Sequence, residues 1–238
     1  MRKDGRKFNE LRAVTITPDF TKFAEGSVLI RCGDTVVLCN ASVEDRVPPH
    51  VHPGCGWVTA EYSMLPRANR ERSRRDIDKL KLSSRSAEIQ RLIGRSLRAA
   101  VDLKALGERT VTIDCDVLQG DGGTRTASVT GGFVALALAC KRLVENGDLG
   151  RSPIRHFVAG VSAGIVDDEA LLDLPYAEDS RAQVDLNCVM NELGEIIEIQ
   201  GTGEGRAFTV REQQELLELC AKGNRELIAK QREIIGRL

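Results

Sequence analysis

The chain has 238 residues, of which 42% are hydrophobic and 29% charged, with 34 Lys/Arg against 35 Asp/Glu. That length and apolar share can bury a core without disulfides or a structural metal, which excludes the small cysteine-stapled and the disordered classes. A net charge of −1 argues by itself against a nucleic-acid partner, but between Arg67 and Arg98 there are 11 Lys/Arg and 4 Asp/Glu, a local +7 that leaves −8 elsewhere.

Taken in chain order, residues 11–17, 27–31 and 35–42 are rich in Val, Ile, Leu and Thr and read as strands, with Cys32-Gly33-Asp34 as a hairpin turn. Residues 56–65 read as a further strand. Residues 66–83 carry few apolar side chains and read as a charged loop. From 84 to 103 the apolar residues Ile89, Leu92, Ile93, Leu97, Ala100 and Val101 fall on one helical face. A strand over 110–118, a break at Gly120-Asp121-Gly122-Gly123 and an apolar helix over 127–144 follow. Two hairpins come next, 157–166 with 170–174 around Asp167-Asp168, and 184–190 with 195–200 around 191–194. The chain ends in an amphipathic helix over about 210–235, with a break expected near Gly223. Strands grouped apart from helices indicate an α+β fold in one domain spanning 1–238, with hairpins then helices in each half.

Seven cysteines form an odd set without C-x-x-C spacing, mostly inside apolar runs, and read as reduced core residues of a cytoplasmic protein. The charged start Met1-Arg2-Lys3-Asp4-Gly5-Arg6 is not followed by the apolar run of a signal peptide. The apolar run 157–166 is half the length of a membrane span, so no membrane is expected.

Three stretches carry chemistry. Gly120 to Ser128 joins a strand to a helix, where unpaired N–H groups of the first turn, Gly123, the hydroxyls of Thr124 and Thr126 and the Arg125 guanidinium form a donor-only anion site. Neither a Walker A loop nor G-x-G-x-x-G is present; a plain capped turn is the structural alternative. Arg85 opens the first helix, where the macrodipole disfavours a cation, and this hints at an anionic ligand. Arg91, Arg95 and Arg98 continue at helical spacing and equally suit a stripe paired with Glu88 and Asp102. In 184–190 the alternation sends Asp185 and Asn187 to the face away from the core. If Asp179 converges on Asp185, the pair suits Mg²⁺, which completes its shell with water and phosphate oxygens. His50, His52 and Cys55 lie in a Pro-rich loop, and no fourth ligand has the spacing of a structural zinc site.

Six ordered stretches, residues 2–6, 56–62, 64–68, 88–98, 121–126 and 199–202, together resemble the RNase PH family over nearly the whole chain. The resemblance implies an α+β fold and a ring-shaped homohexamer built as a trimer of dimers. It also implies 3′ to 5′ phosphorolysis of tRNA precursors, with the reverse transfer from nucleoside diphosphates. By motif, Arg85, Gly123, Thr124 and Arg125 match the residues that hold the attacking orthophosphate. Asp179 and Asp185 match the metal-binding and catalytic carboxylates, and Arg67, Arg70, Arg72, Arg74 and Arg75 the RNA-gripping segment. Two stretches depart from the family: Ser83-Ser84, where glycines are expected, and the 50–55 loop. An inactive RNA-binding ring subunit would lack the phosphate-site arginines or the acidic pair, and a hydrolytic nuclease would need no anion pocket.

Overall fold

The computed structural model describes residues 2–75 and 83–236. Strands β1 (Val14–Pro18), β2 (Gly26–Cys32) and β3 (Thr35–Glu44) form an antiparallel meander, with Gly33 in the left-handed region at the tight turn. Strand β4 (Trp57–Met64) is followed by helix α1 (Ser84–Ala99), short helix α2 (Leu103–Leu106) and strand β5 (Thr110–Gln119). β5 inserts between β3 and β4, antiparallel to the first and parallel to the second, giving the sheet order β1-β2-β3-β5-β4.

Helix α3 (Thr124–Glu145) leads to a second sheet of β6 (Val158–Val166), β7 (Glu169–Leu172), β8 (Val184–Asn191) and β9 (Ile196–Thr202), ordered β7-β6-β8-β9 and antiparallel throughout. A single turn, α4 (Tyr176–Asp179), interrupts the passage from β7 to β8, and α5 (Val210–Ile235) closes the chain. α3 packs on β2 and β3 on one side and on β6 on the other, while α1 lies against β4 and α5 against β6. One apolar cluster therefore runs through both sheets. α3 is long and apolar enough to cross a membrane, but most of that apolar stretch is buried between the sheets.

Several boundaries differ from those read in the sequence, each for a local reason. The expected helix 84–103 stops at Ala99, because the Asp102 carboxylate accepts from the N–H groups of Lys104 and Ala105 and starts α2 as a separate turn. α3 begins three residues before 127, directly after the Gly123 break. α5 runs unbroken through Gly223: a Cβ there would meet Leu172, Leu11 and Val161 at 3.1–3.3 Å, so the glycine lets the helix sit close on β7 and β6. The single turn α4 was not read in the sequence. Residues 76–82 of the expected charged loop lie outside the described residues.

Candidate functional site

The break before α3 has the form an anion site requires. Gly122 and Gly123 both adopt left-handed backbone, at φ 72° and 64°, and Gly123 caps α3 with no side-chain hydrogen bond. The first N–H groups of the helix are therefore left to a ligand. No residue with a Cβ fits at Gly122, where that atom would lie 2.4 Å from the Leu174 carbonyl oxygen. Thr124 is buried and its Oγ1 shares a 2.9 Å hydrogen bond with the Tyr62 hydroxyl. Thr126 departs from expectation: its hydroxyl donates to the Gly123 carbonyl at 3.0 Å and is spent inside the turn.

Arg125 points across the cleft to the second sheet. Its Nη1 donates to Gln200 Oε1 at 2.7 Å and lies 3.3 Å from Glu88 Oε1, while Gln200 Nε2 donates to the same Glu88 oxygen at 2.9 Å. The guanidinium is thus aimed by one residue of α1 and one of β9. Arg85 is exposed in the first turn of α1, whose N-cap is Ser83; Ser83 Oγ accepts from the Ser86 N–H at 3.0 Å. A serine here does the capping that glycines would not, and Arg85 keeps its place.

The carboxylates converge as well. Burial pushes the Asp185 carboxyl up to about 6, Asp179 pushes it further in the same direction, and Arg125 and a hydrogen bond from Asn187 oppose them. Asp179 is also raised, first by burial and then by Glu204, against Arg85 and Arg125. Asp179 raises Asp185 and Arg125 acts on both, so the two carboxylates share one cleft. Alternation placed Asp185 off the core face, yet the side chain sits in a recess rather than in open water. Asn187 Nδ2 donates to Asp185 Oδ2 at 3.0 Å, and the buried Oδ1 has no partner among the described residues. An orphaned carboxylate oxygen beside a second carboxylate is a hard oxygen donor set, which fits Mg²⁺.

Arg67, Arg70, Arg72, Arg74 and Arg75 are all exposed. Their segment is tied to the anion loop, since the Gly120 N–H donates to the Ala68 carbonyl at 2.8 Å. The arginine stripe on α1 is not paired as expected. Arg95 binds Glu198 of β9 through two hydrogen bonds of 2.7 and 2.6 Å, Arg98 stacks 4.3 Å over the Trp57 ring, and Asp102 faces Arg155. His50 sets its ring edge-on to Trp57 at 5.1 Å. Sequence reading did not single out Tyr62, Glu88, Gln200 and Glu204 as site residues, although Tyr62, Glu88 and Gln200 lie inside the stretches that carry the resemblance. Burial raises the Tyr62 phenol, against its bond to Thr124 and the charges of Arg85 and Arg125.

Comparison with known proteins identifies the family and the fold. Residues 10–141 match the model of the 3′ exoribonuclease family, domain 1, and residues 156–223 that of domain 2. A chain of the Archaeoglobus fulgidus exosome, solved with RNA bound to the active site, superposes with a TM-score of 0.83 at 28% identity, covering 96% of this chain and 92% of that one. A chain of an archaeal exosome core gives 0.78 at 27%, covering 97% and 91%. Rice (Oryza sativa) Rrp46 gives 0.80 at 18% over 98% and 100%, an identity at which the likeness shows the fold alone. With both domain models matched in order over most of the chain, this protein belongs to the RNase PH family of 3′ exoribonucleases and has its α+β fold.

Proposed function

We propose that the protein is a phosphate-dependent 3′ to 5′ exoribonuclease that trims tRNA precursors with orthophosphate, releases nucleoside diphosphates and catalyses the reverse transfer. One observation carries this reading: the anion cradle at Gly123, Thr124 and Arg125 opens on the same cleft as Asp179 and Asp185, with Arg125 acting electrostatically on both carboxylates. A hydrolytic nuclease needs the carboxylates but has no use for a second anion pocket. In phosphorolysis one phosphate must be held in line with another, and fixed positive charge offsets their repulsion. Arg85, Arg125 and the α3 N-terminus supply that charge for the nucleophile, and Gln200 and Glu88 fix the plane of the Arg125 fork.

Asp179 and Asp185 would hold Mg²⁺, which when bound supplies charge stabilisation at the scissile phosphate. One carboxylate of the pair assists proton transfer to the leaving 3′-oxygen. The exposed arginines from Arg67 to Arg75 grip the RNA body next to the cleft. The exposed aromatic side chains Phe20 and Phe23, on one loop, suit contacts within a homohexamer arranged as a trimer of dimers, which light scattering would detect. Seven free cysteines suit the reducing cytoplasm.

RNA decay assayed with and without orthophosphate tests the reading. Nucleoside diphosphates formed only with orthophosphate support it. Monophosphates formed without it indicate a hydrolase, and RNA binding without decay indicates a scaffold subunit.

A further inference from the structure

Three arginines before β1, Arg2, Arg6 and Arg12, reach into the molecule behind the cleft, and Arg6 Nη2 donates to the Asp173 carbonyl at 3.1 Å. Arg12 and Asp173 form a buried pair in which Asp173 Oδ1 accepts from Arg12 Nη2 at 2.7 Å, and Oδ2 accepts from the Arg12 backbone N–H at 2.8 Å and from Nε at 3.1 Å. The same guanidinium reaches into the anion loop: Nη1 donates to the Asp121 carbonyl at 2.5 Å, and Nη2 lies 3.4 Å from the Gly122 carbonyl. On the other side Tyr176, the first residue of α4, donates its N–H to Asp121 Oδ1 at 3.2 Å. Arg2 donates to the Asp173 carbonyl at 2.9 Å and grips Glu178, the neighbour of Asp179, through Nε and Nη2. Burial opposes both charges of the Arg12 and Asp173 pair; Asp173, with Cys32 and Asp121, leaves the Arg12 guanidinium raised, and Arg12, with Arg6, leaves the Asp173 carboxyl lowered.

Asp173 has the left-handed φ of 53°, uncommon without glycine, and this turn sends the chain from β7 towards α4. The Asp173 side chain accepts three hydrogen bonds from Arg12, its N–H donates to the Ser162 carbonyl at 2.7 Å, and its carbonyl accepts from Arg2 and Arg6. A buried ion pair is a poor means of adding stability, because desolvation consumes most of the attraction and an apolar pair of equal volume would serve as well. What an apolar pair cannot do is fix two backbone carbonyls of one loop and a carboxylate at the root of another in a single planar fork.

We propose that Arg12 and Asp173 are positioning residues that lock the anion loop, residues 120–123, to the segment that carries Asp179. The lock joins the first family domain to the second and sets the separation between the bound phosphate and the carboxylate pair. It deepens the functional reading above and rests on it for its consequence, though the lock itself is structural.

The test uses the full-length chain with Asp173→Asn, which keeps the shape and removes the charge. A second variant, Arg12→Lys, keeps the charge but cannot reach Asp173 and the Asp121 carbonyl together. Hydrogen exchange should rise in 120–124 and 174–180 together while the strands stay protected. The apparent KM for orthophosphate and the Kd for Mn²⁺, read by electron paramagnetic resonance, should each rise roughly 10-fold, as for other outer-shell changes. RNA affinity should hold. A lowered Tm with exchange raised evenly over the chain, or loosening of one loop alone, overturns the lock, as does failure of both variants to fold. If wild type ignores orthophosphate yet the two loops loosen together, the functional reading fails and the lock stands. If wild type is phosphorolytic and the variants' loops exchange as in wild type, the lock fails and the functional reading stands.

Discussion

Arg125 is held by Gln200 and Glu88, so its value lies in direction as much as in charge. Lysine at this position keeps the charge but presents a point donor without the planar fork. Arg125→Lys should therefore leave RNA affinity nearly unchanged while phosphorolysis at saturating RNA falls on the order of 100-fold, the scale of a misoriented nucleophile. Titration of orthophosphate reads this as a raised KM, a lowered kcat, or both, and polymerisation from diphosphates should fall in parallel. Asp185 gives a second prediction with a definite sign. Its folded carboxyl titrates near 6, above the ordinary 3.8, so the folded chain binds the proton more tightly than the unfolded one. In metal-free protein its contribution to stability accordingly falls as pH rises from 3.8 to about 6 and stays lost above, by at most about 3 kcal/mol. Asp185→Asn should remove turnover yet raise the urea midpoint at pH 8 in EDTA, with little gain at pH 4. A variant less stable than wild type at pH 8 would show that the charge is compensated in the cleft.

At the scale of elements, what the sequence revealed followed from short-range patterns. Alternation in 184–190 was enough to separate Asp185 from the core face, and the glycine run was enough to mark the break between β5 and α3. The partners that aim these groups were not legible, because Arg125 meets Glu88 and Gln200 across 37 and 75 positions and Arg12 meets Asp173 across 161. No local period encodes such pairings; they exist only once α1 lies by β9 and the start of the chain passes under α4. Gly223 was misread for a related reason. Inside a helical pattern a glycine signals a break, whereas here the helix is held by packing on β6 and β7, and the missing side chain permits that approach. A stricter case of the same economy is Gly26, where a Cβ would lie 1.9 Å from the Ala135 carbonyl oxygen of α3. Backbone cannot retreat as a side chain can, so Gly26→Ala should cost about 3 kcal/mol or more and lower the urea midpoint sharply. A change below about 1 kcal/mol would show that α3 can move off β2.

For the whole molecule, a net charge of −1 coexists with an exposed run of arginines, so that run should carry a large share of RNA attraction. Replacing Arg67, Arg70, Arg72, Arg74 and Arg75 with Ala should weaken tRNA-precursor binding and flatten its logarithmic salt dependence by up to about 4. Binding measured from 50 to 200 mM salt reads the slope, and an unchanged slope would place the RNA on another surface. The sheet order carries a consequence for how the chain is made. β3 ends at Glu44, but its second neighbour β5 is complete only at Gln119, 75 residues later. At ribosomal speeds of roughly 5–20 residues per second, that interval lasts about 4–15 s. Throughout it, the nascent β1 to β3 meander has an unpaired strand edge and an apolar face without its covering helix, open to neighbouring nascent chains and to chaperones alike.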